Sequence, residues 1–208
     1  MAPLYKTLTI LSCGVAIAMV SLIGAALRPG SIRVPEADLP ILGTVPAFQF
    51  HDQNAKLATL ASLRGSPWVA DFVFTRCAGP CPMMTARMAA MQKSLPSQVK
   101  FVTFSVDPEH DTPAVLKQYA QAFSADESRW RFLTGDTDAI MAQARSMLVT
   151  ALPAIGDQPI IHDQRFLLID GHGRIRGAYD SNDPQQLADL DHDAKRLVVV
   201  AEDAKHAL

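Results

Sequence analysis

Strand-like and helix-like patterns of apolar residues alternate along most of the chain. Residues 67–75 are almost continuously apolar and rich in Val, Phe and Trp, which predicts a buried strand. Residues 82–94 place Met84, Met88 and Met91 on one face of a helix, and this spacing favours packing of the methionines in the core. Similar patterns predict strands at residues 45–50, 56–60, 99–106, 130–133, 165–170 and 174–179, and helices at residues 113–123, 136–147 and 184–204.

The order of these elements predicts an α/β domain. Strands and helices alternate through the middle of the chain, which is typical of a central sheet with helices on both faces. Residues 45–50 and 56–60 are expected to pair as a hairpin, and Asp170-Gly171-His172-Gly173 is a turn signal between the last two strands. The predicted sheet is therefore mixed.

A different pattern fills the N-terminal part of the chain. No residue from Thr7 to Leu27 is charged, and Lys6 and Arg28 flank this segment. As a helix, these residues extend over about 31 Å, which spans the core of a bilayer. The apolar stretch is longer than that of a typical cleaved signal peptide, so we expect residues 1–28 to form one transmembrane helix, with a signal segment as the alternative.

The residues after this segment predict a tether followed by one domain. Residues 29–46 contain four prolines and few bulky apolar side chains, which is typical of an extended linker. Residues 47–208 are then long enough for one domain with its own core. The net charge of the chain is −2 and no cluster of Lys or Arg forms a basic stripe, which excludes a nucleic-acid-binding protein.

The candidate chemistry centres on Cys77 and Cys81, which lie between the strongest predicted strand and the methionine-rich helix. Three residues separate them, and they are the only cysteines of the predicted domain, because Cys13 lies in the apolar N-terminal segment. A cysteine at a helix start is expected to lose its proton more easily, since unsatisfied backbone N–H groups stabilise the thiolate. Two sulfurs in one short segment indicate either a redox pair or part of a metal site.

The prolines around Cys81 bear on the local conformation. Pro80 and Pro82 flank this cysteine, and a residue before proline avoids the helical region. We therefore expect residues 77–81 to form a loop, with Cys81 as a helix cap. With its cysteine pair between the first main strand and the following helix, the predicted domain has a thioredoxin-like arrangement.

A metal site would need a third ligand, because two thiolates leave a cuprous or divalent ion under-coordinated. An imidazole is the most suitable group, and the chain has six histidines. His162 is the best candidate by position. It precedes the strand at residues 165–170 and lies in the segment that, in thioredoxin-like folds, passes beside residues 77–81, here called the cysteine segment. An ordinary hydrogen-bonded histidine is the alternative for this residue.

Asp71 interrupts the apolar strand six residues before Cys77. It lies on the same face of the strand as Val69 and Val73, where burial of a carboxylate is costly. Thioredoxins carry an aspartate at the same offset, where it assists proton transfer during disulfide exchange. This similarity implies the same role for Asp71, and the alternative is a carboxylate that reaches the strand end and a backbone partner.

Several separated motifs together resemble the Sco/SenC family. They are Phe74-Thr75-x-Cys77-x-x-x-Cys81-Pro82, then Ser105-Val106-Asp107-Pro108-x-x-Asp111-Thr112-Pro113, then Leu133-Thr134-Gly135, and finally His162 ahead of Leu168-Ile169-Asp170-x-x-Gly173. These motifs follow one another in the family's order between about residues 70 and 175, and their combination is much more specific than any one of them.

The resemblance implies a membrane-tethered, thioredoxin-like copper protein that faces the bacterial periplasm or the mitochondrial intermembrane space. Family members bind Cu(I) or Cu(II) through two cysteines and one histidine, and the matching positions are Cys77, Cys81 and His162. They help to load the CuA centre of cytochrome c oxidase. The implied partner is therefore the CuA subunit or another copper acceptor.

Two functions are the main predictions for this chain, and both use the sulfurs of Cys77 and Cys81. The first is a copper metallochaperone with Cys77, Cys81 and His162 as ligands. The alternative is a thiol–disulfide oxidoreductase that reduces the cysteines of an apo-metalloprotein, in which Cys77 attacks, Cys81 resolves and Asp71 moves the proton. A copper or redox sensor is a third function, for which the chain offers no separate motif.

Overall fold

The computed structural model describes residues 39–152 and 161–206, which fold into a mixed sheet covered by helices. The strands in these residues are β1 Gly43–Thr44, β2 Gln49–Asp52, β3 Leu57–Thr59, β4 Trp68–Val73, β5 Lys100–Ser105, β6 Trp130–Thr134, β7 Ala151–Leu152, β8 Ile161–His162, β9 Arg165–Ile169 and β10 Arg174–Asp180. The α-helices are α1 Pro80–Ser94, α2 Pro113–Ala122, α3 Thr137–Ser146 and α4 Pro184–His206, and a short 3-10 helix covers Leu60–Leu63.

Eight of the strands form one sheet in the order β1-β10-β9-β4-β5-β6-β2-β3, and β7 pairs separately with β8. β4, β5 and β6 are parallel neighbours, with Ala70 opposite Val102 and Val102 opposite Arg131. β9 runs antiparallel to β4, and β2 runs antiparallel to both β3 and β6. The predicted mixed sheet and the predicted hairpin near its start are confirmed.

β4 lies at the centre of the sheet, and all six of its residues are buried. Strands that are covered on both faces are typically apolar throughout, and β4 follows this rule everywhere except at Asp71. Trp68, Ala70 and Phe72 face a core that includes residues of α3, whereas Val69 faces a core formed with α1, α2 and α4. Helices therefore cover both faces of the sheet, as predicted.

α1 begins at Pro80, two residues earlier than predicted. The expectation that residues 77–81 form a loop is therefore wrong at its end, because Cys81 lies in the first helical turn. Gly79 is the N-cap, and prolines fit the first turn because the first N–H groups of a helix have no intrahelical partner. The predicted burial of the helix methionines is confirmed for Met84, Met88 and Met91.

The predicted turn between the last two strands joins β9 to β10. The Gly173 N–H donates to the Asp170 carbonyl at 3.0 Å, and Gly173 has a φ of +83°, which glycine adopts readily. Because Trp68 at the start of β4 lies opposite Ile169 at the end of β9, this turn is at the amino end of β4. The residues just before β9 therefore lie at the other edge of the sheet, where β4 ends.

The predicted transmembrane helix at residues 1–28 lies outside the described residues, as does the predicted tether up to residue 38. Of the helices that the structure describes, none has the length and apolar character needed to cross a membrane. The last part of the predicted tether is described. There Gly43 and Thr44 pair with β10, and Val45 is buried in the core.

Candidate dithiol site

Cys77 and Cys81 lie at the carboxyl end of the central strand. β4 ends at Val73, and residues 74–79 connect it to α1. Both cysteines are thiols; Cys77 is partly exposed and Cys81 is fully buried. Open α/β sheets form their ligand sites at the carboxyl ends of strands, so the pair occupies a position that suits binding. Of the two cysteines, Cys77 is the one exposed to solvent.

The environment of Cys81 opposes its ionisation. Burial raises the pKa of the Cys81 thiol far above its ordinary value, and the neighbouring Cys77 side chain raises it further. The expectation that the helix start favours the thiolate is wrong for Cys81, because the loss of water around the sulfur outweighs the effect of the helix dipole. Cys81 therefore carries its proton at neutral pH, and a metal ion that binds it must displace that proton.

Asp71 is fully buried on the face of β4 that α1 covers. Neither of its carboxylate oxygens has a hydrogen-bond partner of normal geometry. Burial raises the pKa of Asp71 to about 7, and the hydroxyl of Thr103, its neighbour on β5, offsets part of this effect. Asp71 therefore stays in the core, and the alternative that it reaches the strand end is wrong. A group with a pKa near 7 gains and loses protons easily at neutral pH.

The buried carboxylate of Asp111 fixes the segment before Cys77. It accepts hydrogen bonds from the Thr75 backbone N–H at 3.0 Å, the Thr75 hydroxyl at 2.5 Å and the Ser105 hydroxyl at 2.6 Å. Thr75 lies two residues before Cys77, and Ser105 is the last residue of β5. The ends of two neighbouring strands are thus tied together beside the cysteines.

Arg76, the residue directly before Cys77, is held by an ion pair. Its Nε and Nη2 atoms donate to one carboxylate oxygen of Asp107, at 2.9 and 2.6 Å. The Asp107 N–H donates in turn to the Ser105 hydroxyl at 3.1 Å. The Arg76 side chain is more than half exposed, so the pair adds little to stability. Its effect is to hold Arg76 against the loop that follows β5.

A second set of contacts fixes the other end of the cysteine segment. The Thr85 hydroxyl donates to the Cys81 carbonyl at 3.0 Å and lies 2.9 Å from the Tyr119 hydroxyl. Thr85 has only one hydroxyl hydrogen, so Tyr119 is the donor in the second bond. Burial raises the pKa of Tyr119, which therefore keeps this proton at neutral pH. Tyr119 on α2 thus supports the first turn of α1.

The backbone of His162 lies in β8, where it pairs with Ala151 of β7. Two residues separate β8 from β9, and the start of β9 is at the edge of the sheet where β4 ends. The His162 side chain lies outside the described residues, so its role as third ligand stays a prediction. Among the side chains that the structure describes, no group of three or more His, Cys, Asp or Glu is arranged to hold a metal ion.

The residues that fix the cysteine segment were not identified from the sequence. The sequence pattern indicates Asp107 and Asp111 only as parts of a family motif, and it singles out neither Thr85 nor Tyr119. Thr85 follows Cys81 by four residues, a spacing at which a helix hydroxyl reaches a carbonyl, and this is a usable local signal. The bond between Thr85 and Tyr119 joins residues 34 positions apart and has no local signal.

Most of the chain is similar to one known family. A family model described as SCO1/SenC matches residues 41–196. The SCO1 protein homolog of Bacillus subtilis is 34% identical over 161 residues, which cover 75% of this chain and 83% of that protein.

Solved structures share the fold. BsSco, described as a member of the Sco family of cytochrome c oxidase assembly proteins with a disulfide switch, matches with a TM-score of 0.68 and 34% identity over 76% of this chain and 95% of that chain. ScoI of Bradyrhizobium japonicum, solved with copper bound, matches with a TM-score of 0.63 and 29% identity over 74% of this chain and 99% of that chain. The predicted fold class is thereby confirmed for the described domain.

Proposed function

Because the chain belongs to the SCO1/SenC family, we propose that it is a copper-binding metallochaperone that assists assembly of the CuA centre of cytochrome c oxidase. The observation that carries this proposal is the pair of thiols, Cys77 and Cys81, at the carboxyl end of the central strand. Thiolate sulfur is a soft donor that suits Cu(I). The relatives described as copper-bound and as oxidase assembly proteins support the same function.

Each proposed ligand has a separate task. Cys77 is partly exposed, so a copper donor or acceptor protein reaches it first, whereas Cys81 holds the ion from the core side. His162 is the proposed third ligand, and its backbone at the end of β8 supports this assignment. Imidazole nitrogen suits Cu(II) as well as Cu(I), so a site with two sulfurs and one nitrogen accommodates both oxidation states.

The proposal places the domain in the periplasm, tethered to the bacterial inner membrane through residues 1–28. The mitochondrial intermembrane space is the alternative location. The uncharged segment Thr7–Leu27 and the proline-rich residues after it support the tethered arrangement. The proposed acceptor of the copper is the CuA subunit of cytochrome c oxidase or another copper protein.

Copper titration of the reduced full chain tests the proposed site. We expect one copper per chain, loss of tight Cu(I) binding in Cys77→Ser and Cys81→Ser, and sharply weaker Cu(II) binding in His162→Ala. Competition with a chromophoric chelator measures the bound metal. His172→Ala is the matched control, because His172 is exposed in the turn at the opposite edge of the sheet, and we expect it to bind copper normally.

Two results would contradict this proposal in different ways. Copper uptake that is unaffected by all three substitutions would refute the site as a whole. Unchanged Cu(II) binding in His162→Ala, together with weak binding in the two cysteine variants, would remove only the histidine from it.

A second candidate function, thiol–disulfide exchange, is favoured by the buried Asp71 carboxyl with its pKa of about 7. The Cys77 sulfur attacks the disulfide of an apo-metalloprotein to form a mixed disulfide and releases one partner thiol. Cys81 then gives its proton to Asp71 and attacks the Cys77 sulfur, which breaks the mixed disulfide and leaves a disulfide between Cys77 and Cys81. The second partner sulfur leaves as a thiolate and takes up a proton from water.

Asp71→Asn tests this second function. An amide cannot accept the proton of Cys81, so we expect the reduction of a model protein disulfide at neutral pH to slow about tenfold. Stopped-flow fluorescence measures the rate, and Asp138→Asn, which removes an exposed carboxylate, is the control. An unchanged rate from acidic to neutral pH would exclude Asp71 from the reaction.

A further inference from the structure

One segment of the chain holds both ends of the cysteine segment. Residues 105–119, here called the clamp segment, run from the last residue of β5 through the following loop into α2. Before Cys77, the clamp segment binds Thr75 through Asp111 and Arg76 through Asp107. After Cys77, Tyr119 of the clamp segment binds Thr85 of α1, which in turn donates to the Cys81 carbonyl in the first helical turn. The clamp segment therefore makes contacts on both sides of the two cysteines.

Tyr119 acts on the Cys81 backbone through the Thr85 hydroxyl, and the direction of the hydrogen bond between the two hydroxyls matters. The Tyr119 hydroxyl donates to Thr85, so the single hydrogen of the Thr85 hydroxyl remains available for the Cys81 carbonyl. The Tyr119 ring also packs against Phe123 and Phe132, with ring centroids 4.9 and 6.1 Å away. Removal of the hydroxyl alone leaves these ring contacts in place.

The clamp segment makes all of these contacts while both cysteines are thiols. A disulfide requires the two sulfurs to approach to about 2.0 Å with a restricted dihedral angle. Cys77 follows the bonded residues Thr75 and Arg76, and the Cys81 carbonyl is bonded to Thr85, so a backbone movement that brings the sulfurs together acts on these contacts. Any contact of the dithiol state that such a movement weakens favours the dithiol over the disulfide.

We propose that the clamp segment sets the redox equilibrium of the two cysteines in favour of the dithiol, and that Tyr119 is a positioning residue that acts through Thr85. This inference rests on the proposed use of Cys77 and Cys81 and adds a regulating element to it. A dithiol held against oxidation stays available for metal binding, because a disulfide offers no thiolate ligand.

The reaction that measures this equilibrium is exchange with glutathione. Both S–H bonds of the dithiol and the S–S bond of glutathione disulfide break, and a bond forms between the Cys77 and Cys81 sulfurs. Two electrons and two protons pass to glutathione disulfide, which becomes two molecules of reduced glutathione. The fraction of oxidised protein at fixed glutathione ratios gives the equilibrium constant.

Tyr119→Phe in the full chain, held in detergent micelles, is the first test. We expect the equilibrium constant for disulfide formation to rise about three- to tenfold, as the loss of one hydrogen bond predicts. A tenfold rise corresponds to a potential about 30 mV more negative for this two-electron couple. Alkylation of the remaining thiols followed by mass spectrometry measures the oxidised fraction.

Substitutions at Thr85 test whether Tyr119 acts through this residue. Thr85→Val removes the hydroxyl with little change of shape, so we expect a shift at least as large as that of Tyr119→Phe. Thr85→Ser restores the hydroxyl, so we expect an equilibrium constant close to the wild-type value. In the Thr85→Val background, Tyr119→Phe is expected to add nothing further, because the bond that it removes is already absent.

Tyr179→Phe is the matched control. Tyr179 is a buried tyrosine, whereas Tyr119 is partly buried, and the Tyr179 hydroxyl likewise makes one side-chain hydrogen bond: it donates to Asp193 on α4 at 2.9 Å, away from the clamp segment. We expect it to lower the unfolding midpoint without shifting the redox equilibrium. An equal shift in Tyr179→Phe, or wild-type equilibrium constants in both Tyr119→Phe and Thr85→Val, would overturn the inference.

Copper stoichiometry distinguishes this inference from the proposed function. If Tyr119→Phe and wild type each bind one copper per reduced chain but have the same equilibrium constant for disulfide formation, the clamp inference fails and the copper site stands. If neither binds copper while their redox equilibria differ as expected, the copper proposal fails and the clamp inference stands.

Discussion

Asp71 shows how burial changes the chemistry of a single residue. An aspartate in water has a pKa near 4, but in β4 it has lost its water and has gained no hydrogen-bond partner of normal geometry. A buried polar group in this condition destabilises the folded protein, and a pKa of about 7 is the expected response. The same burial raises the pKa of Cys81, although that residue lies at a helix start.

We predict that Asp71 makes the folded protein less stable as the pH rises from about 4 to about 7. The unfolded chain loses this proton near pH 4, whereas the native protein holds it up to about pH 7. Within that window, ionisation stabilises only the unfolded state. The free energy of unfolding therefore falls, by on the order of 4 kcal/mol across the window, and above pH 7 this contribution is constant. Urea denaturation of the reduced protein at several pH values measures the slope.

Asp71→Asn isolates this effect, because an amide does not titrate. The difference in the free energy of unfolding between wild type and Asp71→Asn is expected to change across the window, and Asp138→Asn, which removes an exposed carboxylate, is the control. The other shifted groups near Asp71 are Cys81 and Tyr119, whose pKa values are raised, so neither changes charge between pH 4 and 7. A constant difference for Asp71→Asn would show that the carboxyl titrates normally.

At the scale of elements, the long patterned segments were predictable. β4 is apolar except at Asp71, β5 carries three buried apolar residues, and the helix methionines repeat at helical spacing, so burial and local pattern largely agree in these elements. The predicted start of α1 was wrong because the two prolines suggested a break in the helix, whereas the first helical turn tolerates both prolines. β7 and β8 were missed because two residues are too few to show an alternating pattern.

The candidate site was only partly predictable from the sequence, because several of its contacts join residues far apart in the chain. The sequence predicted where Cys77 and Cys81 lie in the fold, because a strand and a helix flank them directly. It did not predict that Asp111 binds Thr75, since this contact joins residues 36 positions apart and depends on the parallel pairing of β4 with β5. Long-range hydrogen bonds follow from strand order, which a single sequence does not specify.

At the scale of the whole molecule, the two edges of the sheet differ in their contents. The edge at the carboxyl end of β4 carries the cysteine segment and the clamp segment. Near the other edge, the buried Arg176 Nη1 donates to Asp170 at 2.9 Å. The same guanidinium donates to the Leu39 carbonyl at 2.6 Å and the Pro40 carbonyl at 3.2 Å. Arg176 thus joins the first described residues of the domain to the sheet.

This separation predicts that stability and copper binding can be changed independently. Arg176→Met leaves Asp170 with one fewer buried partner and removes the bonds to Leu39 and Pro40, so we expect a loss of about 3 kcal/mol in the free energy of unfolding.

Arg174→Met is the matched control for this prediction. Arg174 also pairs with Asp170, at 2.7 Å, but its side chain is 28% exposed, and we expect a loss of about 1 kcal/mol or less. Urea denaturation measures both losses, and copper titration of the folded, reduced variants is expected to give wild-type stoichiometry. Equal losses in the two variants would show that the burial of Arg176 contributes nothing. A copper defect in folded Arg176→Met would show that the two edges of the sheet are coupled.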